Sequence, residues 1–248
     1  MLPAPPPLDA DTALFLDVDG TLLEIAERPD RVQVPSALPA LLGEVAQQRG
    51  GALALVSGRP LRELDRLFRP WRGAAAGLHG IERRRADGGL DSRTDHAAAA
   101  ALDRIRPTLA ALASQGSGLI LEDKGGNVAL HYRAAPERGA EILALATALT
   151  RQAQPALRLI AGKMVVEFQP RGADKGATIA AFLDEPPFFG RRPVFIGDDV
   201  TDEDGFAEIN RRHGVAIRVG QSGETRARWA FPSVTAALAW LAGNQQPA

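Results

Sequence analysis

Short apolar runs alternate with helical periodicity over the first third of the chain. Ala13–Leu16 is an unbroken apolar run that ends in the polar loop DVDGT, as expected of a short strand buried on both faces. Pro35–Gln48 places Leu38, Leu41, Leu42 and Val45 at helical spacing, and Gly50–Gly51 stops it. Ala52–Val56 is a second apolar run, followed by SGRP, and Leu61–Phe68 is a short amphipathic helix. Strand, helix, strand, helix predicts a parallel α/β sheet.

The middle of the chain follows a different pattern. IERRRADGGLDSRT alternates charges and turn residues, as a hairpin does, and Asp95–Ser114 is an alanine-rich helix. Leu119–Glu122 and Val128–Tyr132 read as strands about the turn Lys124-Gly-Gly-Asn127, and Ala135–Arg151 as a further helix. Leu157–Ala161 and Met164–Gln169 pair around Gly162. From Gly172 the α/β pattern resumes: helix Lys175–Leu183, strand Val194–Ile196 running into GDDVTDED, helix Gly205–Arg211, strand Val215–Val219 and helix Val234–Leu241. The expected architecture is a discontinuous α/β core, residues 1–77 and 171–248, with an α+β cap inserted at 78–170. The proline-rich opening segment is expected to be disordered.

Composition narrows the function classes. Among 248 residues the formal charge is −1, which offers no basic excess for nucleic acid or an anionic membrane. Cysteine is absent, so there is no disulfide framework and no thiolate zinc site, which fits a reducing, cytoplasmic setting. No run approaches the roughly 20 apolar residues needed to span a bilayer, and the first residues lack the basic region of a secretory signal. A monomer acting on a small molecule is expected.

Four polar clusters fall at predicted strand ends or helix starts, where open parallel sheets bind ligands. In Asp17-Val18-Asp19-Gly20-Thr21, two carboxylates stand two residues apart beside a glycine that lets the backbone turn toward an anion. Chemically, Asp17 suits a nucleophile attacking phosphorus and Asp19 a general acid and then base. An Asp-rich turn with helix-capping carboxylates would look the same in this segment alone. Ser57-Gly58-Arg59 offers a hydroxyl and a guanidinium to a phosphate, or is an ordinary turn. Lys175 opens a helix, where it can offset the charge of Asp17 and of a transferring phosphoryl group, or is simply solvated. After an apolar strand and Gly197, Asp198–Asp204 carries five acidic residues in seven positions. Such crowding calls for a cation, although carboxylates also suit a helix start. Neither the phosphate-binding GxxxxGK[ST] loop nor EF-hand spacing is present.

In this order, D-x-D-G-T, Ser, Lys and G-D-D resemble the haloacid dehalogenase (HAD) superfamily of phosphotransferases. The resemblance implies a Rossmann-like core with Asp17 as nucleophile, Asp19 as acid/base and Ser57 and Lys175 holding phosphate. It also implies Mg2+ on Asp17, the Asp19 backbone and Asp198, with Asp199 and Asp202 as further ligands or their supports. GDDVTDED, LHG at residues 78–80, the ExK…HYR stretch and GKxxVE together are similar to trehalose-6-phosphate phosphatases. From that similarity Glu122, Lys124, Lys163 and Glu167 are expected to contact the sugar, with Thr21, Arg59, His79, His131 and Arg133 lining the substrate site. Val18 departs from the tyrosine often found there in the family. The implied reaction is hydrolysis of trehalose 6-phosphate. Alternatives are a related phosphatase for sucrose phosphate or mannosyl-phosphoglycerate, a phosphomutase, or a sugar-phosphate sensor without turnover.

Overall fold

The computed structural model describes residues 2–26, 31–92, 96–114, 117–162, 164–220 and 223–243. In chain order the elements are β1 (Thr12–Leu16), α1 (Leu38–Gln48), β2 (Leu53–Val56), α2 (Leu61–Leu67), β3 (Ala74–Gly77), β4 (Glu82–Arg84) and β5 (Leu90–Ser92). They continue with α3 (His96–Ala113), β6 (Ile120–Asp123), β7 (Val128–His131), α4 (Gly139–Gln152), β8 (Leu157–Gly162) and β9 (Val165–Pro170). The chain closes with α5 (Lys175–Leu183), β10 (Arg192–Gly197), α6 (Glu203–Arg211), β11 (Val215–Val219), β12 (Trp229–Phe231) and α7 (Val234–Leu241).

The chain divides into two units, Met1–Ser92 with Asp174–Ala248, and Arg93–Ala173. The first division falls later than the boundary expected after residue 77. The hairpin β4–β5 pairs antiparallel onto β3 and so extends the large sheet. That sheet has the order β12-β11-β10-β1-β2-β3-β4-β5, parallel from β12 to β3. The three-residue β12 is too short to be legible as a period in the sequence.

Strand alternation sorts the core into two faces. Leu14, Leu16, Leu53, Leu55, Val194 and Ile196 join residues of α1, α2 and α7 on one face. Ala13, Ala54, Ala74, Ala76 and Ala216 line the other, together with Phe15 and Phe195. The small alanines leave room there for Phe182, Phe188 and Phe206. Phe15 stacks on Phe188 with ring centres 5.4 Å apart, and Phe195 meets Phe206 at the same distance. Asp174 caps α5 by accepting from the Ala177 amide at 2.7 Å, which fixes where Lys175 begins the helix.

The opening segment is ordered where disorder was expected. The Pro3 carbonyl accepts from the Ala230 amide at 3.0 Å, and Leu8 packs against the core. Proline's fixed φ lowers the entropy lost on docking, so modest contacts suffice.

The second unit is a four-stranded antiparallel sheet, β6-β7-β9-β8, with α3 and α4 packed on one face. Val128, Leu130, Val166 and Phe168 point into that helix-covered core.

Phe188→Ala removes a fully buried ring from the aromatic cluster. The unfolding free energy should fall by about 3–5 kcal/mol in urea titration. A loss below about 1 kcal/mol would contradict the packing described.

Candidate active site

Parallel pairing aligns the carboxyl ends of β1, β2 and β10, because Leu16 lies beside both Leu55 and Ile196. The next residues of each strand therefore emerge on one rim. The Asp17 amide donates to the Ile196 carbonyl at 2.9 Å, so the sheet ladder continues into the residue that carries the carboxylate. Asp17 is buried, with one carboxylate oxygen accepting from Lys175 Nζ at 2.7 Å and the other from the Thr21 hydroxyl at 3.2 Å. Lys175 also donates to Asp202 at 2.5 Å. The second Asp202 oxygen accepts the backbone amides of Asp198 and Asp199, each at 2.9 Å. Asp202, with no exposure, thus shapes the loop after β10. Asp199 is exposed and accepts from the Val200 amide, completing a capping box with Asp202.

Asp17, Asp198 and Asp202 each bring a carboxylate oxygen within 4.8 Å of the others. Burial raises the Asp17 pKa against the pull of Lys175, and Asp202 and Asp19 push it further. Burial also raises Asp198, with Asp17 and Asp202 adding to the shift. Lys175 is held above its usual range: burial disfavours its charge, but Asp17 and Asp202 outweigh that penalty. One ammonium cannot neutralise three carboxylates. Asp198 Oδ1 is moreover buried without a hydrogen-bond partner among the described residues. A hard divalent cation coordinated by oxygen resolves both the surplus charge and the orphaned acceptor. Gly20, at φ +83°, keeps the space open, since a Cβ there would overlap the Asp198 carboxylate.

Asp19 is held elsewhere. Arg59 grips its carboxylate bidentately, at 2.7 and 2.6 Å, and also donates to Glu63 at 3.1 Å. Glu63 was not anticipated from the sequence, although it lies one helical turn from Arg59. Ser57 is buried and accepts from the Arg59 amide at 3.1 Å, which leaves its hydroxyl proton to be donated. His79 packs over this turn, and a Cβ on Gly58 would lie 2.7 Å from its Nε2. Leu78 and His79 both adopt left-handed backbone, φ 51° and 56°, a strained conformation of the kind functional sites store. It is held by bonds from their amides to the carbonyls of Arg59 and Ser57. The core residues anticipated from the sequence therefore come together on one rim.

In the second unit, Glu122, Ala129 and Glu167 lie abreast on β6, β7 and β9. Lys124 Nζ stands 3.7 Å from Glu122 and 3.8 Å from Glu167, and the small Ala129 leaves space between the two carboxylates. His131 Nε2 bonds Glu122 at 2.9 Å. Burial works against the Glu122 charge, but the His131 hydrogen bond and the Lys124 charge outweigh it and lower its pKa. Buried Asn127, read from the sequence only as a turn residue, donates to Glu167. Arg133 is exposed in the turn after β7, and Lys163 lies outside the described residues.

No helix among the described residues is long and apolar enough to cross a membrane. The trehalose-phosphatase family model matches residues 15–233. A protein of Sinorhizobium fredii named probable trehalose-phosphate phosphatase is 49% identical over 208 residues, 84% of this chain and 77% of its own length. The trehalose-6-phosphate phosphatase of Escherichia coli is 45% identical over 236 residues, 95% of this chain and 87% of its own. Among solved structures, the C-terminal domain of C. albicans trehalose-6-phosphate phosphatase superposes with a TM-score of 0.82 at 18% identity, covering 97% of each chain, a likeness of fold. The α/β architecture with a HAD-type core is the one expected from the motifs. The chain is a phosphatase and belongs to the trehalose-phosphatase family.

Proposed function

We propose that this protein hydrolyses trehalose 6-phosphate to trehalose and phosphate, as a step of trehalose synthesis, with Mg2+ as its cation. The observation that carries the chemistry is the buried Asp17 beside Lys175, with Asp19 two residues on and Asp198 within reach of the same space. The substrate choice is supported by the identity to named trehalose-phosphate phosphatases over most of both chains. It is supported also by the paired carboxylates and ammonium of the second unit, which both accept from and donate to sugar hydroxyls.

Mg2+ held by Asp17 and Asp198 would neutralise charge between the phosphate dianion and the attacking carboxylate. Asp17 forms a bond to phosphorus as the bond from phosphorus to the sugar oxygen breaks, and Asp19 gives that oxygen its proton. Water then attacks phosphorus, Asp19 takes its proton, and the bond to Asp17 breaks. Lys175 keeps Asp17 charged and ordered, Asp202 holds the loop that presents Asp198, and Ser57 donates to a phosphate oxygen. Thr21 steadies Asp17 through its hydroxyl. Exchange of the Arg59–Asp19 pairing for a pairing of Arg59 with phosphate would release Asp19 to carry a proton. The expected cytoplasmic location and monomeric state belong to the same reading. They are read by cell fractionation and by light scattering on a sizing column.

Asp17→Asn should lower kcat by about 10⁴-fold or more. Acid-quenched wild-type enzyme should yield a phosphoryl adduct mapping to Asp17, and an adduct elsewhere would overturn the nucleophile. A panel of trehalose 6-phosphate, sucrose phosphate, mannosyl-phosphoglycerate and glucose 6-phosphate should give the highest kcat/KM for the first. Equal values across the panel would remove the substrate reading. Mg2+ should raise the thermal midpoint of the wild-type protein by mass action. In EDTA, Asp198→Asn should be at least as stable as wild type, because it relieves a like charge, and should lose the Mg2+ gain. An undiminished Mg2+ shift in that variant would exclude Asp198 as a ligand.

A further inference from the structure

We infer that Asn127 is a positioning residue that sets the Glu167 carboxylate for sugar binding, an inference that rests on the reading of the Glu122–Lys124–Glu167 group as the sugar-recognising face. Three alternate positions along β7 and the turn before it, Asn127, Ala129 and His131, form one row between β6 and β9. Each end of the row braces one carboxylate: His131 bonds Glu122 at 2.9 Å, and the Asn127 amide donates to Glu167 Oε1. The middle position, Ala129, leaves the gap in which Lys124 Nζ stands between the two acids.

Asn127 is an unusual turn residue. An asparagine in a tight turn commonly bonds its own nearby backbone. Here the amide is spent on another strand, and the turn is closed by different means. The Lys124 amide donates to the Asn127 carbonyl at 3.1 Å. Arg106 of α3 donates to Asp123 at 2.8 Å and to the Gly125 carbonyl at 2.6 Å. The turn therefore does not depend on the Asn127 side chain. That side chain has no exposure, and its Oδ1 finds no hydrogen-bond partner among the described residues. A buried amide with an orphaned acceptor is destabilising relative to an apolar side chain of similar size. Its one bond, to Glu167, is what the site gains. Without it, Glu167 loses the bond that orients its Oε1 beside Lys124, where a sugar hydroxyl would meet it.

The test uses the full chain and the sugar phosphate that the wild-type enzyme turns over with the highest kcat/KM, so that loss of the trehalose reading does not decide it. Asn127→Leu and Asn127→Ala should raise KM about tenfold with kcat within about twofold, the scale of one hydrogen bond to a charged group. Turnover of p-nitrophenyl phosphate, which has no sugar, should hold within about twofold. Asn127→Asp, which sets a second carboxylate against Glu167, should raise KM further. In a Glu167→Gln background the Asn127 substitutions should add little, since both act on one contact. The thermal midpoint of Asn127→Leu should equal or exceed that of wild type. Unchanged KM in both apolar variants would overturn the inference, as would effects that add in full to Glu167→Gln. A fall in midpoint with no change in KM would make Asn127 structural, as would failure of both variants to fold.

Discussion

The core unit is organised around one electrostatic problem: three carboxylates converge on a single rim of a parallel sheet, with one buried ammonium to balance them. Asp17 and Asp202 are both buried, so their charges depend on the groups around them. Lys175 bonds both, and its position is set by the Asp174 cap that starts α5. Taking an ion pair out of water costs more than it returns unless every polar atom is satisfied. Here Asp202 meets that condition, with Lys175 on one oxygen and two loop amides on the other. Asp198 does not, since its Oδ1 is buried without a hydrogen-bond partner among the described residues, and that mismatch is what would let the rim take a cation. The arrangement serves placement of charge more than stability, which comes instead from the apolar faces of the sheet beneath it.

Those faces explain why the core was legible. Buried parallel strands are near-continuous apolar runs, so β1, β2, β10 and β11 stand out. Their polar continuations then mark the carboxyl rim without any knowledge of tertiary contacts. Asp17, Ser57 and Asp198 were read by that rule, and Lys175 from the start of the helix that follows Asp174. Less legible was what each polar group pairs with. Arg59 lies two positions from Ser57 in sequence, but it clamps Asp19, forty positions away, and Glu63 completes the clamp. Side-chain pairing across strand ends depends on register and rotamer, which apolar periodicity does not carry. The left-handed turn at Leu78 and His79 was invisible for a related reason. Leucine rarely adopts φ above zero, and histidine does so too seldom to announce it; the bonds back to the Ser57–Arg59 turn help to hold it there.

The boundary of the second unit shows the same limit. Charges and turn residues around Arg83 to Asp91 announced a hairpin, but not which sheet it would join. The hairpin continues the large sheet through β3 and is anchored by Arg83, which bonds Asp91 at 2.6 Å and Glu185 at 2.7 Å and lies over the Phe182 ring. A guanidinium shared between two carboxylates and an aromatic face couples β4 to the end of α5. The unit division falls after Ser92 because β4 and β5 ladder onto β3, a pairing reinforced by these long-range ion pairs and absent from any local pattern.

The small sheet meets the charge problem on a lesser scale and with a different balance. Glu122 and Glu167 both lie near Lys124, and each bonds a further side chain: His131 for Glu122, Asn127 for Glu167. Carboxylates that must accept from a ligand cannot be fully satisfied by the protein, or nothing remains for the ligand to replace. They also cannot be left loose, or they collapse onto Lys124. A pair of carboxylates separated by Ala129 and braced at its outer edges holds its acceptors apart at a cost in folding energy that a well-packed apolar row would avoid. The buried cluster on the helix side of the same strands supplies that energy. Val128 and Leu130 alternate with Asn127, Ala129 and His131 along one short stretch, so a single segment carries both the stabilising apolar face and the row beside the two carboxylates.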